Sequence, residues 1–473
     1  MSKMHLSNLK NLNKGDTICA LSTPPGIGAI AVIRVSGNKT FEICDKIFFP
    51  KNKNVKLTSA EAYKIYFGLL KDEDKILDEV LLSVFRNPNS YTGEDSVEIS
   101  CHGSEFIQQK IIELLLKNKI RFADPGEFTL RAFLNGKFDL SQAEAVADLI
   151  ASHSKTSHEL ALNQMRGGFS NKIKELRKQL INFSSLIELE LDFSEEDLEF
   201  ADRDKLSELL LEIKTEVGYL IDSFSTGNVL KKGIPVAIIG KTNVGKSTLL
   251  NAILNEEKAI VSNIPGTTRD FIEDTILING ILFRFIDTAG LRQAQDKIET
   301  LGIERTHQKI KQAKIILYVC DISKSNSESI SNIVDDFQEY IKDKSRRFIL
   351  IGNKIDKLVK MPKGFKTLFD LETIFISAKR KENIHAISES LIRSINTEIM
   401  NGNTIISNTR HFEMLTKVDE AIVNIENGLL NEVPTDLLTI DIRDALHYLG
   451  EITGEITTNE ILGNIFGKFC IGK

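Results

Sequence analysis

The residues Gly240-Lys241-Thr242-Asn243-Val244-Gly245-Lys246-Ser247 fit the spacing GxxxxGK[ST], directly after the apolar run Val236-Ala237-Ile238-Ile239 and before the helix-forming Thr248-Leu249-Leu250-Asn251-Ala252. Strand, glycine-rich turn and helix in that order form a phosphate cradle: backbone N–H groups wrap a β-phosphate, Lys246 bridges β- and γ-oxygens, and Ser247 can ligate Mg²⁺. A chance glycine-rich turn would share the spacing, but three further motifs argue against it. Asp287-Thr288-Ala289-Gly290 closes the apolar Phe283-Arg284-Phe285-Ile286. Asp287 can there hold a Mg²⁺-bound water, and the Gly290 N–H can meet a γ-phosphate. Asn353-Lys354-Ile355-Asp356 follows Phe348-Ile349-Leu350-Ile351-Gly352. Its Asp356 carboxylate can accept from the N1–H and the exocyclic amino group of guanine, and adenine offers neither donor, so the ligand expected is GTP or GDP rather than ATP. Ser377-Ala378-Lys379 completes the base pocket, mainly through its backbone.

Two segments bear on hydrolysis. Gly266-Thr267-Thr268-Arg269-Asp270 lies between the phosphate loop and Asp287. A threonine here, assigned as Thr268, completes Mg²⁺ coordination beside Ser247 only when a γ-phosphate is present, which makes the loop a switch. Leu291 follows Gly290, where many regulatory GTPases carry a water-orienting glutamine. An apolar side chain cannot align a nucleophile, so Glu299, beyond Arg292-Gln293-Ala294-Gln295-Asp296, is a candidate, although taken alone it reads as a solvated helix-start carboxylate. Lys246, Thr268 and Glu299 form the expected catalytic set.

These groups need a sheet to hold them. Strands are expected at 234–239, 274–278, 281–286, 314–320, 347–351 and 373–376, separated by helical segments, the pattern of a mostly parallel α/β sheet. Asn279-Gly280 signals a type I′ hairpin and hence one antiparallel edge pair. The first 120 residues alternate short apolar runs with turns, including Ile18–Leu21, Ala29–Ile33 and Ser96–Ser100, with a helix over 104–117, and read as an α+β domain. From residue 141 the period becomes helical. Ser141 with Glu144 suggests a capping box. Ile173, Leu176, Leu180, Phe183 and Ile187, and then Leu206, Leu210, Ile213, Val217 and Leu220, form stripes that need a partner surface. The acidic stretch Asp192 to Asp204 between them reads as a solvated connection. Helices return after residue 405. The simplest organisation is a multidomain α/β and α+β chain in which the nucleotide domain is inserted into a discontinuous helical domain.

Composition sets the outer bounds. At 473 residues, with 42% hydrophobic and 27% charged residues, the chain is globular and exceeds one core. Its net charge of -6 argues against coating nucleic acid by bulk electrostatics, while leaving room for a local basic site. No apolar run approaches the roughly 20 residues that cross a bilayer, and the N-terminus lacks a signal-peptide core, so a cytoplasmic protein without membrane contact is expected. Cys19, Cys44, Cys101, Cys320 and Cys470 are widely spaced and suggest neither metal knuckles nor a disulfide framework.

The motifs and their flanks together resemble the tRNA uridine-5-carboxymethylaminomethyl modification GTPases, the MnmE or TrmE family, over almost the full chain. The likeness is carried by Thr23-Pro24-Pro25-Gly26, Ile33-Arg34-Val35-Ser36-Gly37, Tyr91-Thr92-Gly93-Glu94-Asp95 and Cys101-His102-Gly103. It continues through Pro125-Gly126-Glu127-Phe128, Arg131–Lys137 and the terminal Phe469-Cys470-Ile471-Gly472-Lys473. The resemblance implies a folate-binding-like, dimerising domain at 1–138, helical segments at 139–225 and 400–473, and an inserted G domain at 226–399. It implies a homodimer that joins an FAD-containing MnmG-like protein in a heterotetramer or larger complex. The implied reaction modifies C5 of the wobble uridine of tRNA with a carbon from 5-formyl- or 5,10-methylene-tetrahydrofolate.

Arg34, Glu98, Lys137 and Lys473 match the family's folate contacts; without the resemblance they read as a strand-end arginine, a solvated carboxylate and surface lysines. The family's activating K⁺ implies Asn243, the Thr267 side chain and the carbonyls of Ser262 and Ile264 as its ligands, offsetting charge that an arginine finger handles elsewhere. The nucleotide set is then Asn243 to Thr248, Ser262, Thr267, Thr268, Asp287 to Gly290, Asn353, Lys354, Asp356 and Ser377 to Lys379. Cys470 is a candidate reactive thiol or a small apolar filler, and no step requires His102. Ile27 stands where the family commonly has arginine. Two other readings of the nucleotide motifs are a ribosome-assembly GTPase of the Era or Der type, though neither a KH pattern nor a second phosphate loop is evident, and a nucleotide-controlled scaffold.

Overall fold

The computed structural model describes residues 15–192, 203–256, 274–286, 310–325, 327–343, 345–358, 371–393, 405–431 and 433–472. They form two units: Met1–Ile150 with Leu162–Val217 and Glu413–Lys473, and Ala151–Ala161 with Gly218–Phe412.

In the first unit, strands β1 (Ile18–Leu21), β2 (Ile30–Ser36), β3 (Phe48–Pro50), β4 (Ile65–Asp72), β5 (Lys75–Phe85), β6 (Ser96–His102) and β7 (Arg121–Phe122) form a sheet of order β3-β4-β5-β6-β2-β1-β7. Every pair is antiparallel except β1 with β7. Alternation sends Ile33, Val35, Val80, Leu82, Val84, Val97 and Ile99 to one face, where residues of the helices Thr40–Ile47 and Glu105–Lys117 cover them. The opposite face takes the other set, with Arg34 of β2 paired in register to Glu98 of β6.

Both apolar stripes are buried, as their spacing requires: Ile173, Leu180 and Ile187 in the helix Gly168–Asp192, and Leu206, Leu210, Ile213 and Val217 in Arg203–Lys232. The expected cap at Ser141 is a correction. The helix there starts at Leu140, and the reciprocal bonds run between Asp139 and Gln142: the Gln142 N–H donates to Asp139 Oδ1 at 2.9 Å and the Asp139 N–H to Gln142 Oε1 at 3.0 Å. Asp-x-x-Gln meets the same geometry two residues earlier, and Leu140 and Ser141 are both buried as helical residues.

The second unit carries β8 (Ile234–Ile239), β9 (Asp274–Ile278), β10 (Ile281–Phe285), β11 (Ile315–Asp321), β12 (Arg347–Asn353) and β13 (Thr373–Ile376), in the order β13-β12-β11-β8-β10-β9. Pairing is parallel except for the edge hairpin β9–β10. Its turn residues Asn279 and Gly280 have φ of 49° and 80°, both positive as a type I′ turn demands. Both faces are covered, so successive residues of one strand enter different cores: Val236 and Ile238 pack with the helices Lys246–Glu256 and His385–Arg393, and Ala237 and Ile239 with Ser327–Asp336. This is why these strands read as unbroken apolar runs. Among the described residues no helix is long and apolar enough to cross a membrane.

Candidate functional site

The ends of β8, β11 and β12 leave the sheet on one side, where open α/β sheets bind ligands. The turn after β8 is the phosphate loop, and the helix Lys246–Glu256 follows it, its first N–H groups facing the loop. Gly245 has a φ of 101°, and a Cβ there would lie 2.4 Å from Asn353 Nδ2, so both backbone hand and space demand glycine. The Lys246 ammonium donates to the carbonyls of Gly240 and Lys241 at 2.7 and 2.6 Å, which holds it within its own loop. Ser247 is half-buried and Thr248 exposed one step along the helix.

The guanine motif is wired directly to this loop. Asn353 donates from Nδ2 to the Val244 carbonyl at 2.8 Å, while its Oδ1 accepts from the N–H groups of Lys354 and Ala378 at 2.8 and 3.0 Å. One buried amide thus joins the phosphate loop, the end of β12 and the turn after β13. Lys354 donates to the Asn243 carbonyl and to Asp321 Oδ2, both at 2.7 Å. Asp356 Oδ1 accepts from the Ser377 hydroxyl at 2.7 Å, and chiefly this bond holds its carboxyl below the usual range. It is therefore an acceptor at neutral pH, as two donors on a base edge require.

The structure brings together Asn243, Val244, Gly245, Lys246, Ser247, Thr248, Asn353, Lys354, Asp356, Ser377, Ala378 and Lys379 along this rim. Ser262, Ile264, Thr267, Thr268, Asp287, Thr288, Ala289, Gly290, Leu291 and Glu299 lie outside the described residues, as does Lys473. Sequence reasoning missed Asp321. Its signal was a carboxylate at the end of an apolar strand beside the strand that leads into the phosphate loop.

A second polar constellation lies in the seven-stranded sheet. Arg34 makes bonds of 3.0 and 2.8 Å from Nε and Nη2 to Glu98 Oε1, and its guanidinium stacks 4.8 Å over the Tyr91 ring and 5.6 Å from that of Phe128. Lys137 donates to the Pro88 carbonyl at 2.9 Å, and Asn135 to the Thr92 carbonyl at 2.7 Å, so both grip the loop that carries Tyr91. Behind that loop, buried Arg131 bonds Glu94, Glu127 and Asp16 at 3.1, 2.9 and 2.6 Å. Neither Tyr91 nor the Arg131 cluster was singled out by spacing, because most of their partners are remote in sequence.

The tail after the helix Asn459–Phe466 closes on the same region: Gly126 N–H donates to the Cys470 carbonyl and the Ser22 hydroxyl to the Gly472 carbonyl, both at 3.4 Å. Cys470 is exposed, whereas Cys19, Cys44, Cys101 and Cys320 are buried and free. Burial pushes the Cys19 thiol up to about 12 and those of Cys101 and Cys320 up to about 11, which leaves them protonated and inert.

A phosphate loop tied by an asparagine to a guanine-selecting aspartate, at the strand ends of a doubly covered sheet, defines a P-loop GTPase. Comparison with known proteins narrows the class. A family model described as the MnmE helical domain matches residues 140–470, and one described as the GTP-binding protein TrmE N-terminus matches residues 17–137. The tRNA modification GTPase MnmE of Cytophaga hutchinsonii is 52% identical over 463 residues, covering 98% of each chain. That of Flavobacterium psychrophilum is 52% identical over 97% of this chain and 99% of its own, and that of Bacteroides thetaiotaomicron 50% over the same shares. The chain belongs to the MnmE family of GTPases. A solved structure of Era covers 40% of this chain at 26% identity with a TM-score of 0.24, too slight a likeness to carry an argument.

Proposed function

We propose that this chain hydrolyses GTP with Mg²⁺ and K⁺, and that the cycle drives modification at C5 of the wobble uridine of tRNA. The observation that carries the GTPase half is the Asn353 amide, which fixes the guanine-selecting and phosphate-binding segments to each other. The pathway half rests on near full-length kinship to proteins named tRNA modification GTPases. In this reading 226–399 is the inserted G domain, 1–138 the folate-binding-like domain, and 139–225 with 400–473 the helical domain.

The residues present suit the groups required. Gly245 leaves a cradle that any Cβ would fill, and Lys246 supplies a cation at its centre. Ser247 and Thr268 would hold Mg²⁺, and Asn243, Thr267 and the carbonyls of Ser262 and Ile264 would hold K⁺; the two cations offset charge that develops on the phosphates. Lys246 retains the β- and γ-phosphates, Glu299 orients the attacking water, and Asp356 with Ser377–Lys379 selects the base. At the second constellation, Glu98 suits the donor edge of a pterin, and Arg34, Lys137 and Lys473 suit the anionic tail of a tetrahydrofolate, either the 5-formyl or the 5,10-methylene form. The folate supplies the one-carbon unit when bound. Exposed Cys470 is the candidate thiol beside it.

Ile30, Ile65, Phe67 and Leu81 are exposed on strands of the sheet's outer face, which supports a homodimer formed through this domain. An FAD-containing MnmG-like partner in a heterotetramer or larger complex completes the tRNA chemistry, and the proposed location is the cytoplasm. The Era- or Der-type reading retains only the shared nucleotide fold, and potassium-dependent hydrolysis by the purified protein would count against a scaffold without turnover. Two measurements test the proposal. Deletion of the gene should leave the wobble uridine of target tRNAs without its C5 group by mass analysis of nucleosides; an unchanged nucleoside profile overturns the pathway. GTP hydrolysis by the purified protein should be faster in K⁺ than in Na⁺ at equal ionic strength, and equal rates remove the potassium site.

A further inference from the structure

We infer that Asp321 is a positioning residue for guanine-nucleotide binding: it aims the Lys354 ammonium at the Asn243 carbonyl and so braces the base pocket against the phosphate loop. The inference rests on the GTP-binding reading above and assigns a role to a residue outside the four nucleotide motifs.

Asp321 is the last residue of β11, the strand between β8, which leads into the phosphate loop, and β12, which leads into the guanine motif; it pairs in register with Asn353. Its Oδ2 accepts from Lys354 Nζ at 2.7 Å, and its Oδ1 accepts from the Ser323 hydroxyl and N–H at 2.6 and 3.2 Å. With both oxygens engaged, the carboxylate is fixed in rotation. The pair is largely withdrawn from water, with side-chain exposures of 12% for Asp321 and 24% for Lys354, so the attraction is less screened than on an open surface. Burial acts to raise the Asp321 carboxyl, but the bonds from Lys354 and Ser323 outweigh it and hold the group below the usual carboxylate range.

The far end of the bridge is equally specific. Asn243 and Lys354 have φ of 59° and 69°, left-handed conformations that non-glycine residues keep only where their surroundings impose them. The Lys354 ammonium spans these two turns by bonding the Asn243 carbonyl. A parallel strut, Asn353 Nδ2 to the Val244 carbonyl, needs no help from Asp321. A guanine nucleotide reaches from Asp356 to Lys246 and therefore requires the two segments at a set separation. Two adjacent struts hold it, and one depends on a carboxylate outside the motifs.

The test uses the full chain, fluorescent GDP and GTP analogues, and the variants Asp321→Asn, Lys354→Met and their combination. Asp321→Asn should weaken both nucleotides by about tenfold, the order expected for losing a charge-assisted bond, through faster dissociation. KM for GTP should rise with kcat near wild type, and the preference for guanine over xanthine should persist because Asp356 is intact. In the Lys354→Met background Asp321→Asn should add nothing, the signature of a residue that acts through its partner. Wild-type affinity in Asp321→Asn, or multiplying effects in the double variant, would overturn the assignment. Nucleotide-free thermal unfolding guards against simple misfolding, since a merely structural Asp321 lowers the midpoint in both backgrounds and loses affinity in both. Failure of the wild-type chain to bind GDP would instead bring down the GTP-binding reading, and this inference with it.

Discussion

At the rim of the six-stranded sheet, the bonds that assemble the site run mostly from side chains to backbone: Asn353 to the Val244 carbonyl, Lys354 to the Asn243 carbonyl, Lys246 to Gly240 and Lys241. In the seven-stranded sheet they run mostly between charged side chains: Arg34 to Glu98, and Arg131 to Asp16, Glu94 and Glu127. The parallel sheet is covered on both faces, so the polar groups that build its site gather at strand ends, where turn geometry dictates short contiguous motifs. The antiparallel sheet has an outer face, and cross-strand register there places residues 64 positions apart opposite one another. Backbone-built sites tolerate few residue types at few positions, whereas charge-built sites depend on complete networks, because an orphaned buried charge is costly.

The largest effect that would sharpen this contrast is expected from Lys246→Ala. Removing the ammonium that is to hold the β- and γ-phosphates should slow GTP hydrolysis by roughly 100-fold or more in single-turnover assays, the scale seen when a transition-state donor is lost. The stability of the N-terminal sheet should be untouched, and a matching drop in its urea midpoint would erase the distinction. Arg131→Met attacks the other region. It strips a buried network of its central cation and should destabilise the fold by about 3 kcal/mol or more in chemical denaturation. GDP affinity should stay at wild type.

Asp356→Asn should lower guanine-nucleotide affinity by about tenfold to a hundredfold, as expected when hydrogen bonds to an ionised acceptor are exchanged for a mismatched amide. Xanthosine triphosphate should bind better, and an unaltered base preference would place the base elsewhere. The smallest effect concerns acid. Burial acts to raise the Asp16 carboxyl, but bonds and charge from Arg121 and Arg131 outweigh this and hold it below its ordinary value of 3.8. Its stabilising contribution is complete above that value and fades as pH falls through the lower folded one. Denaturation midpoints should therefore decline below about pH 4 more steeply in wild type than in Arg131→Met; parallel curves would show that the network does not set the acid limit.

The two regions differ as much in legibility. Phosphate loop, guanine motif and edge hairpin were readable because each is a short run whose chemistry is local, and the helical stripes because their period equals that of the helix. The cap falls at Asp139 and not at Ser141: a neighbouring Ser-x-x-Glu offers the same pattern, and only the reciprocal bonds between Asp139 and Gln142 decide between them. The Arg34–Glu98 pairing was illegible from spacing, although the family resemblance named both residues. The partners of Arg131 lie 115, 37 and 4 positions away, and only the last of these obeys a helical rule. Asp321 escaped because one carboxylate at a strand end has no spacing to announce it.

The junction of Ser22 with Gly472, 450 positions apart, has a consequence for biogenesis. A nascent chain can pair its first strands early, but the segment that seals their edge emerges from the ribosome only after the whole nucleotide unit has been made. Prematurely terminated products would lack that seal and keep Leu21 and Gly126 uncovered, giving quality-control proteases a mark by which to tell them from finished molecules.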